Sequence, residues 1–429
     1  MEIRRVDTTR IPEALAARQV GAVAFRSSAW YRQLLDEISE IEKSGGQLPD
    51  PANDDPARTV WGAYLEDKLI AVVQAIDYQM RYEGQTLPMC GIGGVATLPE
   101  YRRQGSIRKL MKEILGDCRQ KGQIFSYLYP FSYFFYGKFG YGHGCRRMDV
   151  EIPMSSLKLL PETGRVRRCG PGDEPILQTI YEQFTANTNG AVVRSAGSWK
   201  RKLEKDPVAE QIFTYLWSDA AGKPSSWMTY GTKKVEGGDH FQIYDWACLN
   251  HQSLAGLLAF IKRFDDQYAL ASLKMPLHVP VDRLFAEPYP IKHQLEFGGQ
   301  IRVIDIIRAL ELMQRPFWMT GDFQAMSLNL MVDDDFLVEN SGLYTVDFSG
   351  PVNRVTFTAA PALNLAQAQS SVDLSVTARS LATLLLGCNS LKELDQLPEV
   401  KVNPDLSDHR VNWLRGFFSG KENAIYDYF

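Results

Sequence analysis

The stretch VATLPEYRRQGSIRKLMKEIL, Val95 to Leu115, sets two arginines and a glycine where a short apolar run ends and a helix begins. Unpaired N–H groups and the helix dipole put partial positive charge at a helix start. Gly105 lets a bound group approach the backbone closely. Arg102 and Arg103 add full charge and forked donors matched to phosphate oxygens. This is the chemistry of an anion cradle, and it suits a pyrophosphate. The turn is not a Walker loop, because no Gly-Lys-Ser/Thr follows. GxGxxG is also absent, which excludes a Rossmann turn.

The elements that must position the cradle can be read around it. IPEALAARQVGAVAF and AWYRQLLDEISEIEK carry apolar residues at helical spacing. Polar turns at Glu66-Asp67 and Glu83-Gly84 divide the chain ahead of the cradle into three antiparallel strands. The helix after Gly105 places Ile107, Leu110, Met111, Ile114, Leu115 and Cys118 on one face, with Gly122 as its stop. IFSYLYPFSYFFYGKFGYG begins as a strand and ends in an aromatic, glycine-punctuated loop. From about residue 156 the order repeats: helices, antiparallel strands, strand into helix, strand. The second strand-to-helix junction, DWACLNHQSLAGLL, has neither the arginines nor the turn glycine. From about residue 297 a third pattern of alternating strands and three helices runs to IYDYF at Phe429.

The 429 residues predict two or three domains. A net charge of −4 argues against non-specific nucleic-acid binding. No apolar run is long enough to span a bilayer, and MEIRRVDTTRIPEAL lacks a signal peptide's apolar stretch. Six scattered cysteines with no CxxC pair predict neither a disulfide framework nor a metal site. The expectation is a cytoplasmic protein with reduced thiols.

A strand–R-x-x-G–helix junction after an antiparallel meander resembles motif A of the GNAT acetyltransferases. Arg102 stands at the first position and Gly105 at the fourth; Ile107 replaces the usual small residue. FYGKFGYG (Phe135 to Gly142), the second segment without motif A, a sterol-carrier-like third segment and a terminal aromatic follow in one order. Together they resemble the enhanced-intracellular-survival (Eis) family of acetyl-CoA-dependent N-acetyltransferases, in which a bulky residue at the position of Ile107 is normal.

The resemblance implies an α+β fold: tandem GNAT folds with mostly antiparallel sheets, then a sterol-carrier-protein-like domain. The expected segments are an active acetyltransferase domain at 1–155, a degenerate GNAT-like domain at 156–296 and the third domain at 297–429. It implies acetyl-CoA as co-substrate, held by Val95, Ala96 and Thr97 along the pantetheine arm. Arg102, Arg103, Gly105, Ser106 and Ile107 would surround the pyrophosphate. Tyr136 would be the general acid towards the coenzyme A sulfur; a phenol with pKa near ~10 is protonated at neutral pH. The main-chain carboxylate of Phe429 would be the base, ionised because an α-carboxyl titrates at about 3.3–3.7. Phe25, Trp30 and Tyr428 are the expected acceptor-pocket residues. The acceptor is an amine, with polyamine, aminoglycoside and lysine all open, and no nucleic acid, membrane or metal is expected to take part. The family also implies a homo-oligomer, a hexamer. The alternative reading is a non-catalytic acyl-CoA- or lipid-binding protein of the same fold, and transfer of a longer acyl group is a third.

Overall fold

The computed structural model of the protein describes residues 1–204, 206–235, 238–316, 327–362 and 371–428. They form two compact units. One comprises Met1–Gly144, Gly299–Lys421 and Tyr428; the other comprises Cys145–Gly298 and Glu422–Asp427.

Two hairpins organise the first sheet. Strands β1 (Glu2–Arg5), β2 (Arg58–Leu65), β3 (Lys68–Tyr82) and β4 (Gln85–Thr97) pair antiparallel in that order. The links between β2, β3 and β4 are the expected two-residue turns. Glu66, Asp67, Glu83 and Gly84 all have positive φ, the backbone that matches the twist of hairpin strands. β5 (Phe125–Leu128) joins β4 in parallel after helix α3 (Ser106–Gln120), and β6 (Gly142–His143) closes the row. Helices α1 (Ile11–Phe25) and α2 (Ala29–Ser44) occupy the segments whose periodicity predicts them. α1 covers one face of the sheet through Val20 against Tyr64, Val72 and Ala96. α3 covers the other face with Leu110, Met111, Ile114, Leu115 and Cys118.

The other unit holds a seven-stranded sheet built from β7 (Arg146–Pro153), β8 (Arg165–Arg168), β9 (Ile212–Ser218), β10 (Pro224–Lys233), β11 (His240–Cys248), β12 (Leu270–Pro276) and β13 (Lys292–Phe297). Its order repeats the first: an antiparallel run, then β11, the helix His251–Ile261 and a parallel β12. At the junction Asn250 caps the helix through its own side chain, in a capping box with Ser253.

β14 (Gln300–Val303) returns to the first sheet, between β5 and β6. Beyond it a five-stranded sheet runs β17-β16-β15-β18-β19, with β15 (Ser327–Asp333), β16 (Gly342–Asp347), β17 (Arg354–Ala359), β18 (Leu374–Thr377) and β19 (Val400–Val402). The helix Ala378–Leu386 follows β18 and buries every residue except Arg379.

Two strands fall across the expected segment borders. β7 precedes residue 155 but pairs in the second sheet with β12 and β13. β14 follows residue 296 but pairs in the first. Both pairings join residues far apart in sequence, which local periodicity does not encode. All six cysteines are buried. No helix among the described residues is long and apolar enough to cross a membrane.

Candidate active site

The cradle of arginines and glycine sits at the mouth of a cleft between two parallel strands. The ladder from β4 to β5 runs only from Met89↔Phe125 to Ile92↔Leu128. Beyond Ile92, β4 continues to Thr97 on the β3 side alone. Five residues, Gly93 to Thr97, extend past that ladder over roughly 16 Å, at about 3.3 Å each. The β3–β4 register also slips between Val72 and Gln74, setting Val73 against both Gly94 and Val95. This is a β-bulge, a device that re-aims backbone groups beside a site. Val95 and Thr97 are half-buried here and Ala96 is buried.

β4 ends in a short turn, Pro99–Tyr101, and α3 starts after four intervening residues. Arg103 has φ +63 and Gly105 φ +80, so the turn is held in left-handed conformations. A side chain on Gly105 would meet no atom within 4 Å, which leaves open space over the helix start. No acidic residue lies in the first turn of α3, and Gly105 offers no side-chain cap. The dipole there is uncompensated. Ser106 is 3% exposed, and its Oγ has no hydrogen-bond partner among the described residues. A buried hydroxyl without a partner costs stability unless something fills its place. Arg102 and Arg103 are exposed, and Ile107 is half-buried against the α3 core. Open space, an orphaned hydroxyl, free helix N–H groups and two guanidinium groups fit a pyrophosphate.

The aromatic segment after β5 is expected as a loop but contains a short helix, α4 (Tyr133–Gly137). Ser132 starts it by accepting the Phe135 N–H at 3.2 Å. The run of aromatics hides this helix from a periodicity reading. Tyr136 is 3% exposed and packed edge-on against Phe131, Phe135 and Tyr141. Burial pushes its phenol above its ordinary pKa of 10.0, so it keeps its proton. Behind it, Arg302 on β14 fills the space where a side chain on Gly140 would stand, 1.5 Å from Nη1. That guanidinium donates to the Phe139 carbonyl at 2.5 Å and to Asp334 at 2.5 Å. Both charged side chains are fully buried.

The C-terminal segment alternates between the units. Within the β7–β13 unit, Asn189 N–H donates to the Glu422 carbonyl and Ala424 N–H to the Asn189 carbonyl. Arg194 donates to Asp427 at 2.8 Å and to both oxygens of Asp245, which also accepts from Lys202 at 2.6 Å. Burial opposes ionisation of Asp245, yet the two cations hold its carboxyl below the usual range. In the other unit, the exposed Tyr428 ring lies 4.4 Å from that of Tyr129, just past the end of β5. Phe429 and the side chain of Trp30 lie outside the described residues. Phe25 is half exposed at the last position of α1.

Sequence reasoning misses a cavity of 230 Å³ between α1, α2 and the β2–β3 face, lined in part by Arg18, Glu37, Asp54, Arg58 and Gln74. Gln74 stands opposite the β4 bulge, 3.1 Å from where a Gly94 side chain would be. Phe25 does not line this cavity. In sequence these polar residues are scattered through helix surfaces and a loop, with no motif to join them.

The sequence matches the acetyltransferase (GNAT) domain family over residues 19–144 and again over 190–303. Residues 307–424 match the sterol carrier protein domain family. An uncharacterized N-acetyltransferase of Streptomyces avermitilis is 22% identical over 404 residues, covering 90% of this chain and 88% of the relative. Among solved structures, a GCN5-related N-acetyltransferase from Anabaena variabilis superposes with TM-score 0.79 at 20% identity, over all of both chains. Eis1 from Mycobacterium abscessus does so with TM-score 0.74 at 18% identity, again over all of both. Fold and domain order define an N-acetyltransferase of the GNAT class. The chain carries two acetyltransferase (GNAT) domains followed by a sterol carrier protein domain, and its fold is similar to that of Eis1.

Proposed function

We propose that the protein moves an acetyl group from acetyl-CoA to a primary amine by direct attack in a ternary complex. The observation that carries this reading is the β4–β5 cleft ending at the uncapped start of α3, with the buried Ser106 hydroxyl left without a partner. GNAT domains use acetyl-CoA, which supplies the acetyl group as a thioester. Val95, Ala96 and Thr97 would bind its pantetheine arm through the backbone that extends past β5. Arg102, Arg103, Gly105, Ser106 and Ile107 would enclose the pyrophosphate.

Tyr136 would protonate the leaving sulfur, a role supported by burial that keeps the phenol neutral. The carboxylate of Phe429 would take the proton from the amine. The Tyr129–Tyr428 contact supports this assignment, since it sets the preceding residue beside the end of β5. The 230 Å³ cavity beside Gln74 is the acceptor pocket in this reading, and Phe25, Trp30 and Tyr428 remain proposed acceptor-side residues. Catalysis belongs to residues 1–144 with β14, the β7–β13 segment is the degenerate copy, and the third segment presents the terminus. A cytoplasmic hexamer completes the proposal.

The test is acetyl-CoA turnover, read by thiol release, with polyamines, aminoglycosides and lysine peptides. Full-length protein is compared with a variant lacking Phe429. Loss of turnover with acetyl-CoA binding retained supports reaction and base together. Undiminished turnover in the truncated chain removes the terminal carboxylate from the mechanism. Tight acetyl-CoA binding without turnover on any amine supports the non-catalytic alternative.

A further inference from the structure

A second cavity, of 260 Å³, lies within the first unit beside α4. It is lined by Tyr133, Phe134, His143, Gln300, Arg379 and Glu399, with the start of the helix Ala378–Leu386. Its volume is near the lower end of small-molecule sites, about 300 Å³, and suits a small metabolite.

Three observations give the ligand its chemistry. Arg379 is the one exposed residue of its helix and makes no ion pair or hydrogen bond among the described residues. It stands in the first helical turn, where no acidic residue offsets the dipole. A cation there is disfavoured until an anion arrives. Gln300 is 2% exposed, and its amide nitrogen donates to the carbonyls of Tyr133 and Tyr141. Its Oε1 is buried and accepts no hydrogen bond among the described residues. A buried amide oxygen without a donor calls for an N–H or O–H. Glu399 supplies a carboxylate to the same cavity, and the stacked Tyr133 and His143 rings, 5.0 Å apart, give it a flat wall.

We propose that this cavity binds a small amino carboxylate, a free amino acid, with its carboxylate on Arg379 and its ammonium on Gln300 Oε1 and Glu399. The ligand bridges α4 and the helix Ala378–Leu386 without entering the acetyl-transfer site. Because Tyr133 and Gly137 bound the helix that carries Tyr136, occupancy bears on that phenol's position. The site stands independently of the acetyl-transfer reading.

The test is isothermal titration of the full chain, without acetyl-CoA, against the twenty amino acids, with succinate and cadaverine as probes that carry charge of one sign only. At least one amino acid binds and is recovered unacetylated when acetyl-CoA is then added. Arg379→Gln weakens it at least tenfold, and Glu399→Gln weakens it measurably. Thermal midpoint and acetyl-CoA affinity stay at wild-type values in both variants. Absence of binding by every amino acid overturns the proposal. So does binding that survives Arg379→Gln, or succinate or cadaverine binding as tightly as the amino acid.

Discussion

The buried Arg302–Asp334 pair makes a prediction that can be worked from the structure. Arg302 is 0% exposed and Asp334 1%. The carboxylate does more than neutralise the guanidinium. Its Oδ1 accepts the Phe336 and Leu337 N–H groups at 3.1 and 2.9 Å, and Oδ2 accepts from Asn340 at 3.2 Å. Asp334→Asn keeps an oxygen for the two backbone donors but leaves the Arg302 charge buried with only the Phe139 carbonyl. Breaking a buried pair in this way costs about 3–5 kcal/mol. Adding Arg302→Met removes the stranded charge, so the double variant should recover most of that loss. The coupling energy in a double-mutant cycle is then about 2 kcal/mol or more, the range for residues sharing one network. Calorimetry measures the cycle. Hydrogen exchange of peptides spanning 134–142 and 300–304 locates the opening to this unit. A single variant within about 1 kcal/mol of wild type would refute the reasoning, since surface-like costs are of that size. A double variant as unstable as the single would refute it too.

Three further outcomes are expected. Replacing Arg102 and Arg103 by Gln should weaken acetyl-CoA binding at least tenfold in equilibrium dialysis, with an unchanged thermal midpoint because both side chains are exposed. Tyr136→Phe should lower kcat about 10²–10⁴-fold while the acetyl-CoA Kd holds. Because burial raises the wild-type phenol above 10.0, its alkaline limb should lie above pH 10, and a Tyr136-dependent limb between pH 7 and 9 would contradict the assignment. Asp245 is held below its unfolded pKa of about 3.9, so its contribution is present above that pH and lost as pH falls below it. Asp245→Asn should therefore destabilise the protein at neutral pH and flatten the acid decline in calorimetric scans below pH 4.

The local features of the fold were legible because each has a local cause. The hairpins are announced by Glu66-Asp67 and Glu83-Gly84, and the buried face of α3 by its apolar spacing. Gly105 marks the helix start because a left-handed residue is needed there. What local pattern does not carry is partnership between distant residues. β14 reads as a strand, but nothing in QIRV names β5 and β6 as its neighbours. Gly140 of FYGKFGYG is visible, while the arginine that requires it lies at position 302. Arg194, Asp245 and Asp427 form one network from three separate stretches of chain. The polar lining of the 230 Å³ cavity is hidden for the same reason, while Phe25 rests on family resemblance and Trp30 on proximity along the chain.

The return of β14 to the first sheet has a consequence for synthesis on the ribosome. β5 emerges early, yet its neighbour on one side is translated only after the whole β7–β13 segment. Until then β5 presents an open edge of unpaired N–H and C=O groups to the cell. A fragment cut at Gly144 keeps that edge permanently. The smallest piece that carries the residues proposed for acetyl transfer, the terminus aside, is thus expected to self-associate, and a soluble form must be sought by grafting Gln300–Val303 back beside β5.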